Sequence, residues 1–179
     1  MDEALEQAEK VAAYKGLSRK SGLQLRLLTE EMMSMMRSIT GKMNGEFWIE
    51  DRDGVYELHL RARTLTDDEQ RKQLISVSTE GRNEATRGLM GRIRGFFDVT
   101  PGAPVFHGMF IPGSAPGAES MVWSMVDYRE HLDEYRKNEN ESAKEAWDEL
   151  EKSVVAHAAD EVKVSIRSQI VEMTIFRKM

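Results

Sequence analysis

"EFWIEDRDGVYELHLRA", residues 46–62, decides how the chain is built. Asp53-Gly54 divides the stretch into FWIE and VYELHLRA. A two-residue hairpin turn needs φ > 0 at both central positions, which Asp and Gly tolerate better than other pairs. In the second run Tyr56, Leu58, Leu60 and Ala62 alternate with Glu57, His59 and Arg61. Successive strand residues point to opposite faces, so the pattern predicts an antiparallel pair with one buried face and one wet face.

On the N-terminal side, residues 2–14 read as a short helix, and a stronger one runs from about Ser18 to Ile39. Leu25, Leu28, Met32, Met35 or Met36, and Ile39 recur there at three- and four-residue steps, a stripe that faces a core. Gly41 and the Met-Asn-Gly that ends at Gly45 stop it. On the C-terminal side, Thr66 and Glu69 have capping-box spacing and open a helix to about Val77, followed by another from about Asn83 to Phe97. All four prolines and four glycines fall within residues 100–118, which excludes a regular helix. This is the principal loop, with an extended piece at VFHGMF that supplies an extra strand.

Val122, Met125, Val126 and Leu132 mark a further helix, and Ser142 with Glu145 opens another through about Ala158, with Trp147, Leu150 and Val154 on one side. The short polar connection RKNENES makes these an antiparallel pair. Val162, Val164 and Ile166 alternate, RSQ turns, and IVEMTIF resumes the alternation as a closing hairpin. The expected architecture is an α/β (α+β) two-layer sandwich in one domain: a mixed, mainly antiparallel sheet covered chiefly on one face by the long helices.

With 179 residues and 40% hydrophobic content, the chain can fill one substantial core. Its net charge of −6, with both signs interspersed, argues against a nucleic-acid partner. The absence of cysteine excludes disulfides, thiolate zinc sites and thiol catalysis, and suits a cytoplasmic location. MDEALEQAEK has neither a basic start nor an apolar run, so no secretory signal is expected, and no stretch has the roughly 20 apolar residues of a membrane span. His59, His107, His131 and His157 show no HxxxH or HExxH spacing and read as ordinary residues. The methionines among residues 32–36 read as packing.

Two features invite a functional reading. Glu30 and Glu31 sit on the long helix, where acids either mark the solvated side or hold a carboxylate at the edge of an apolar pocket. In TRGLMGRIRGFFD, residues 86–98, each of Gly88, Gly91 and Gly95 costs a helix about 1 kcal/mol relative to alanine. They permit either tight packing or the approach of a phosphate to a helix N-terminus, with Arg82, Arg87 or Arg92 adding charge.

The order of a long helix carrying Leu-x-Glu-Glu, a hairpin, a glycine-bearing helix and a final hairpin resembles the histidine-kinase-like ATPase (Bergerat) fold, nearest to the anti-sigma-factor serine kinases. It spans about residues 18–98 and 160–177, leaving 100–158 as a loop plus helical-hairpin insertion. In that family a helix Glu orients the attacked water or hydroxyl, and an Asn four residues later binds magnesium on ATP. The resemblance puts Glu31 at the Glu position and Met35 at the Asn position. A thioether is no ligand for magnesium, so the usual metal site is expected to be absent. LHLRARTLTDDE also lacks the family's adenine-binding Asp-x-Gly-x-Gly. The implied nucleotide-binding residues are Glu31, Met35, Arg87, Gly88 and Gly91, for ATP or ADP.

The resulting expectation is a non-catalytic signalling or regulatory protein with a degenerate ATP pocket. An active serine kinase or ATPase with Glu31 as the base is the first alternative. The second is an interaction module that takes a protein partner through residues 119–158, with Trp123 and Trp147 on the docking surface.

Overall fold

The computed structural model describes residues 2–40, 45–63, 93, 120–137, 141–167 and 170–179. The elements are α1 (Asp2–Tyr14), α2 (Arg19–Thr40), β1 (Gly45–Arg52), β2 (Val55–Arg63), β3 (Ser120–Ser124), α3 (Met125–Lys137), α4 (Glu141–Glu151), α5 (Val154–Ala158), β4 (Glu161–Arg167) and β5 (Ile170–Lys178). The five strands form one sheet in the order β1-β2-β5-β4-β3. Among the described residues every neighbouring pair of strands is antiparallel, where a mixed sheet was expected.

Local chemistry accounts for the first half. Asp53 (φ 55°) and Gly54 (φ 82°) form the expected turn, and the Gly54 N–H donates to Asp51 Oδ1 at 3.0 Å. Lys15 Nζ holds the other oxygen of Asp51 at 2.7 Å, tying the end of α1 to the hairpin, and this hydrogen bond keeps the Asp51 carboxyl below its usual range. At the start of α2 the Ser18 hydroxyl accepts the Ser21 N–H at 3.1 Å, an N-cap. The register Glu50↔Glu57 and Leu60↔Phe47 puts Phe47, Ile49, Tyr56, Leu58, Leu60 and Ala62 on one face. A side chain at Gly45 would meet the Arg61 carbonyl at 2.5 Å, so close pairing demands glycine there.

That face carries the core. Leu25, Leu28, Met32, Met35 and Met36 of α2 pack with Leu58, Val162, Val164, Val171, Met173 and Ile175, all at most 1% exposed. α2 lies across β2 and β5, α3 across β3 and β4, and α1 against α2 and β1. Gln24 donates to the Ala158 carbonyl at 3.3 Å, fastening α2 to the end of α5.

The second half departs from the sequence reading. Residues 120–124 are a strand, and the predicted helix begins only at Met125. The expected helix from 142 to 158 is two helices, interrupted at Lys152 and Ser153. Glu161 sets the first boundary: its Oε1 accepts the N–H groups of Met125 (3.0 Å), Val126 (3.2 Å) and Val162 (2.8 Å), and its Oε2 accepts the Ser124 hydroxyl (3.0 Å). Ser124 Oγ in turn accepts the Asp127 N–H at 3.2 Å. A carboxylate from β4 thus satisfies the first two N–H groups of α3, and Ser124 satisfies the third. Residues 120–124 thus join the sheet as its edge strand β3, and the helices follow from Met125. The expected helices at 66–77 and 83–97, and the loop with its strand at 100–118, lie outside the described residues, apart from a helical, fully buried Ile93.

Candidate functional site

Among the described residues, three places gather chemistry-bearing side chains. The first is the flank of α2. Gln24, Leu28, Glu31 and Met35 follow one another along the helix at steps of four, three and four residues, so Glu31 borders the buried stripe. It is half-buried and makes no hydrogen bond to a described residue. Burial pushes its carboxyl above the usual range, and the neighbouring Glu30 charge adds to that. Desolvation of this kind is what a carboxylate at the rim of a pocket shows, and also what a partly covered structural acid shows. Met35 is 1% exposed and belongs to the core. Arg87, Gly88 and Gly91 lie outside the described residues, so Glu31 and Met35 are the predicted site residues whose placement is described.

The second place is a cleft of about 510 Å³ where α3, α4 and α5 meet β5, lined among others by Arg129, Trp147, His157, Asp160 and Arg177. Arg129 donates to the Ala156 carbonyl at 3.0 Å and Arg177 to Asp160 at 2.8 Å. The Arg136 guanidinium lies 4.4 Å from the Trp147 ring centre. Trp147 is half-buried at this cleft. Trp123 is only 1% exposed and faces the core beside Tyr128, which removes it from any docking surface.

The third place is the face of the sheet opposite the core. The hairpin register sets Glu50 directly across from Glu57, and Trp48 across from His59. The Trp48 and His59 rings stack with centroids 4.8 Å apart and planes 6° from parallel. His59 Nδ1 lies 3.2 Å from Thr174 Oγ1 on β5, and its Nε2 points at the two carboxylates. The Arg52 Nη2 donates to Glu50 Oε2 at 2.7 Å, and its Nε lies 3.4 Å from Glu57 Oε1. These bonds from Arg52, and one from Trp48 Nε1 at 3.1 Å, hold the Glu50 carboxyl below its usual range. Alternation correctly places Glu57 and His59 off the core, but it assigns them to a wet face. Glu57 is only 8% exposed.

Linear spacing of the histidines does not reveal this cluster, because its members face one another across paired strands. The signal was present in the turn: once Asp53-Gly54 fixes the register, two glutamates must oppose each other, and like charges directly opposite are destabilising without a cation between them.

No family model, curated protein or solved structure matches the chain. Among the described residues no helix is long and apolar enough to cross a membrane.

Proposed function

We propose that the protein is a regulatory, non-catalytic member of the histidine-kinase-like ATPase type, with a degenerate pocket at the flank of α2. The observation that carries this reading is the half-buried Glu31, whose ionisation burial opposes, on the long helix that immediately precedes the β1–β2 hairpin. The adjacency of that hairpin to the closing β4–β5 hairpin through β2 and β5 supports the same reading. Met35 supports the degenerate half of it. The position to which the resemblance assigns the magnesium ligand is a thioether packed in the core, a donor unsuited to a hard cation.

The regulatory output then belongs to a protein partner on residues 119–158. Within that segment the half-buried Trp147, beside Arg129 and Arg136, replaces Trp123 as the residue to test. A native-state ligand raises the thermal midpoint by mass action, so the test is that midpoint with millimolar ATP or ADP, each with magnesium and with EDTA. A small, magnesium-independent shift or none is expected. Tight magnesium-dependent ATP binding in calorimetry overturns the reading. Phosphate release abolished by Glu31→Gln would instead establish the active enzyme, with Glu31 as its base.

A further inference from the structure

We propose that Glu50, Glu57 and His59 form a binding site for a divalent transition-metal ion, with zinc as the best-suited occupant. The three donor atoms all lie within 4.8 Å of one another. His59 Nε2 is 3.4 Å from Glu57 Oε2 and 3.9 Å from Glu50 Oε1. Tetrahedral zinc bonded to nitrogen and oxygen at about 2.0–2.2 Å needs donors roughly 3.3–3.5 Å apart. The His59–Glu57 edge already has that length. Glu50, whose side chain is 40% exposed, can close the remainder by a small rotation.

Two independent features separate this cluster from an ordinary patch of acids. The His59 side chain is only 11% exposed, and its Nε2, shut off from solvent and aimed at both carboxylates, makes no hydrogen bond. The surroundings also fix the donors in the manner of an outer coordination shell. Thr174 holds Nδ1, Trp48 stacks on the ring, and Trp48 Nε1 anchors Glu50. Arg52 engages Glu50 Oε2 and Glu57 Oε1, and the other oxygen of each carboxylate is turned toward His59; Glu57 Oε2 does so directly, while Glu50 Oε1 also accepts the Trp48 Nε1 hydrogen bond and offers a metal its second lone pair. One imidazole nitrogen and two carboxylate oxygens, with no thiolate, favour zinc or a neighbouring first-row ion over magnesium. The site is distinct from the flank of α2 and does not depend on the nucleotide reading.

The test uses the untagged full-length chain. Zinc chloride is titrated by calorimetry in metal-free buffer without nucleotide, and cobalt(II) is followed by its visible absorption. One ion per chain is expected, with cobalt quenching the fluorescence of Trp48. In Trp48→Phe that quenching disappears while zinc still binds. His59→Gln and Glu50→Gln should each lose at least 100-fold in affinity, and Thr174→Val about 10-fold, in the range measured for outer-shell partners. Circular dichroism of each variant checks folding. If His59→Gln does not fold, Glu50→Gln, on the more exposed side, decides the matter. Absence of binding at millimolar zinc or cobalt overturns the proposal and leaves an Arg52-bridged pair of glutamates. Binding unchanged in Glu50→Gln and Thr174→Val overturns it too, by placing the ion elsewhere.

Discussion

The two faces of the sheet are made from the same strands and held by different physics. On the helix-covered face Leu58, Met173, Ile175 and Val164 share one buried core with the leucines and methionines of α2, and each contact is one of many. On the opposite face Glu57, His59, Trp48 and Arg52 depend on a few directed interactions. The apolar face tolerates exchange of one hydrophobe for another of similar volume, because burial is non-directional and methionine adapts its shape. The polar face has no such tolerance. A buried carboxylate without its cation costs far more than the pair contributes. The first face therefore specifies that the chain folds, and the second specifies register and chemistry.

Adjacent residues on β2 test the contrast most sharply. Leu58→Ala removes a side chain that is 0% exposed at the centre of the core and should cost about 2–5 kcal/mol in denaturant unfolding. Glu161→Ala strips α3 of its borrowed cap, with four hydrogen bonds lost together, and about 1–3 kcal/mol is expected. If Glu161→Ala proves neutral, water replaces the carboxylate and β4 does not set the start of α3. Glu57→Ala, one position from Leu58, should cost only about 1 kcal/mol in metal-free buffer, since relief of its repulsion with Glu50 offsets the lost contacts to Arg52 and His59. A loss as large as that of Leu58→Ala would mean that the polar face carries as much stability as the core.

What could be read from the sequence follows the range of the interaction responsible. The Asp53-Gly54 turn, the stripe on α2 and the closing hairpin depend on neighbours within a few residues, and each is where its pattern placed it. β3 was hidden because Val122, Met125, Val126 and Leu132 keep helical spacing across a strand–helix junction, and the group that enforces that junction, Glu161, comes from 36 residues beyond Met125. Trp123 looked like a surface anchor for the same reason: its partner Val164 is supplied by a distant strand. The burial of Glu57 escaped because alternation reports which face a residue occupies and says nothing about how deeply that face is covered. The split of residues 141–158 into α4 and α5 has no signal that we identify in the local sequence.

The smallest effect belongs to Glu31, and it separates an acid whose charge is answered from one whose charge is not. Glu57 has Arg52, and Glu161 has three backbone donors and a hydroxyl. Glu31, at the rim of the helix-covered face, is desolvated beside Glu30. With its folded pKa raised above the ordinary value of 4.5, the group contributes its stability fully below that value and loses it as pH climbs through the folded pKa. At neutral pH Glu31 is therefore a net cost, so Glu31→Gln should raise the thermal midpoint by a few degrees at pH 7. The gain should vanish in acid, below the ordinary carboxyl value. Glu30→Gln should give a smaller part of the same gain, because repulsion is the lesser of the two causes. Thermal unfolding of both variants across pH measures this directly. A Glu31→Gln protein that is less stable at pH 7 would mean that a cation answers the Glu31 charge in the fold. The acid would then be held ionised, as a residue that orients a water or a hydroxyl must be, and the balance would move from a relic of the pocket toward a working one.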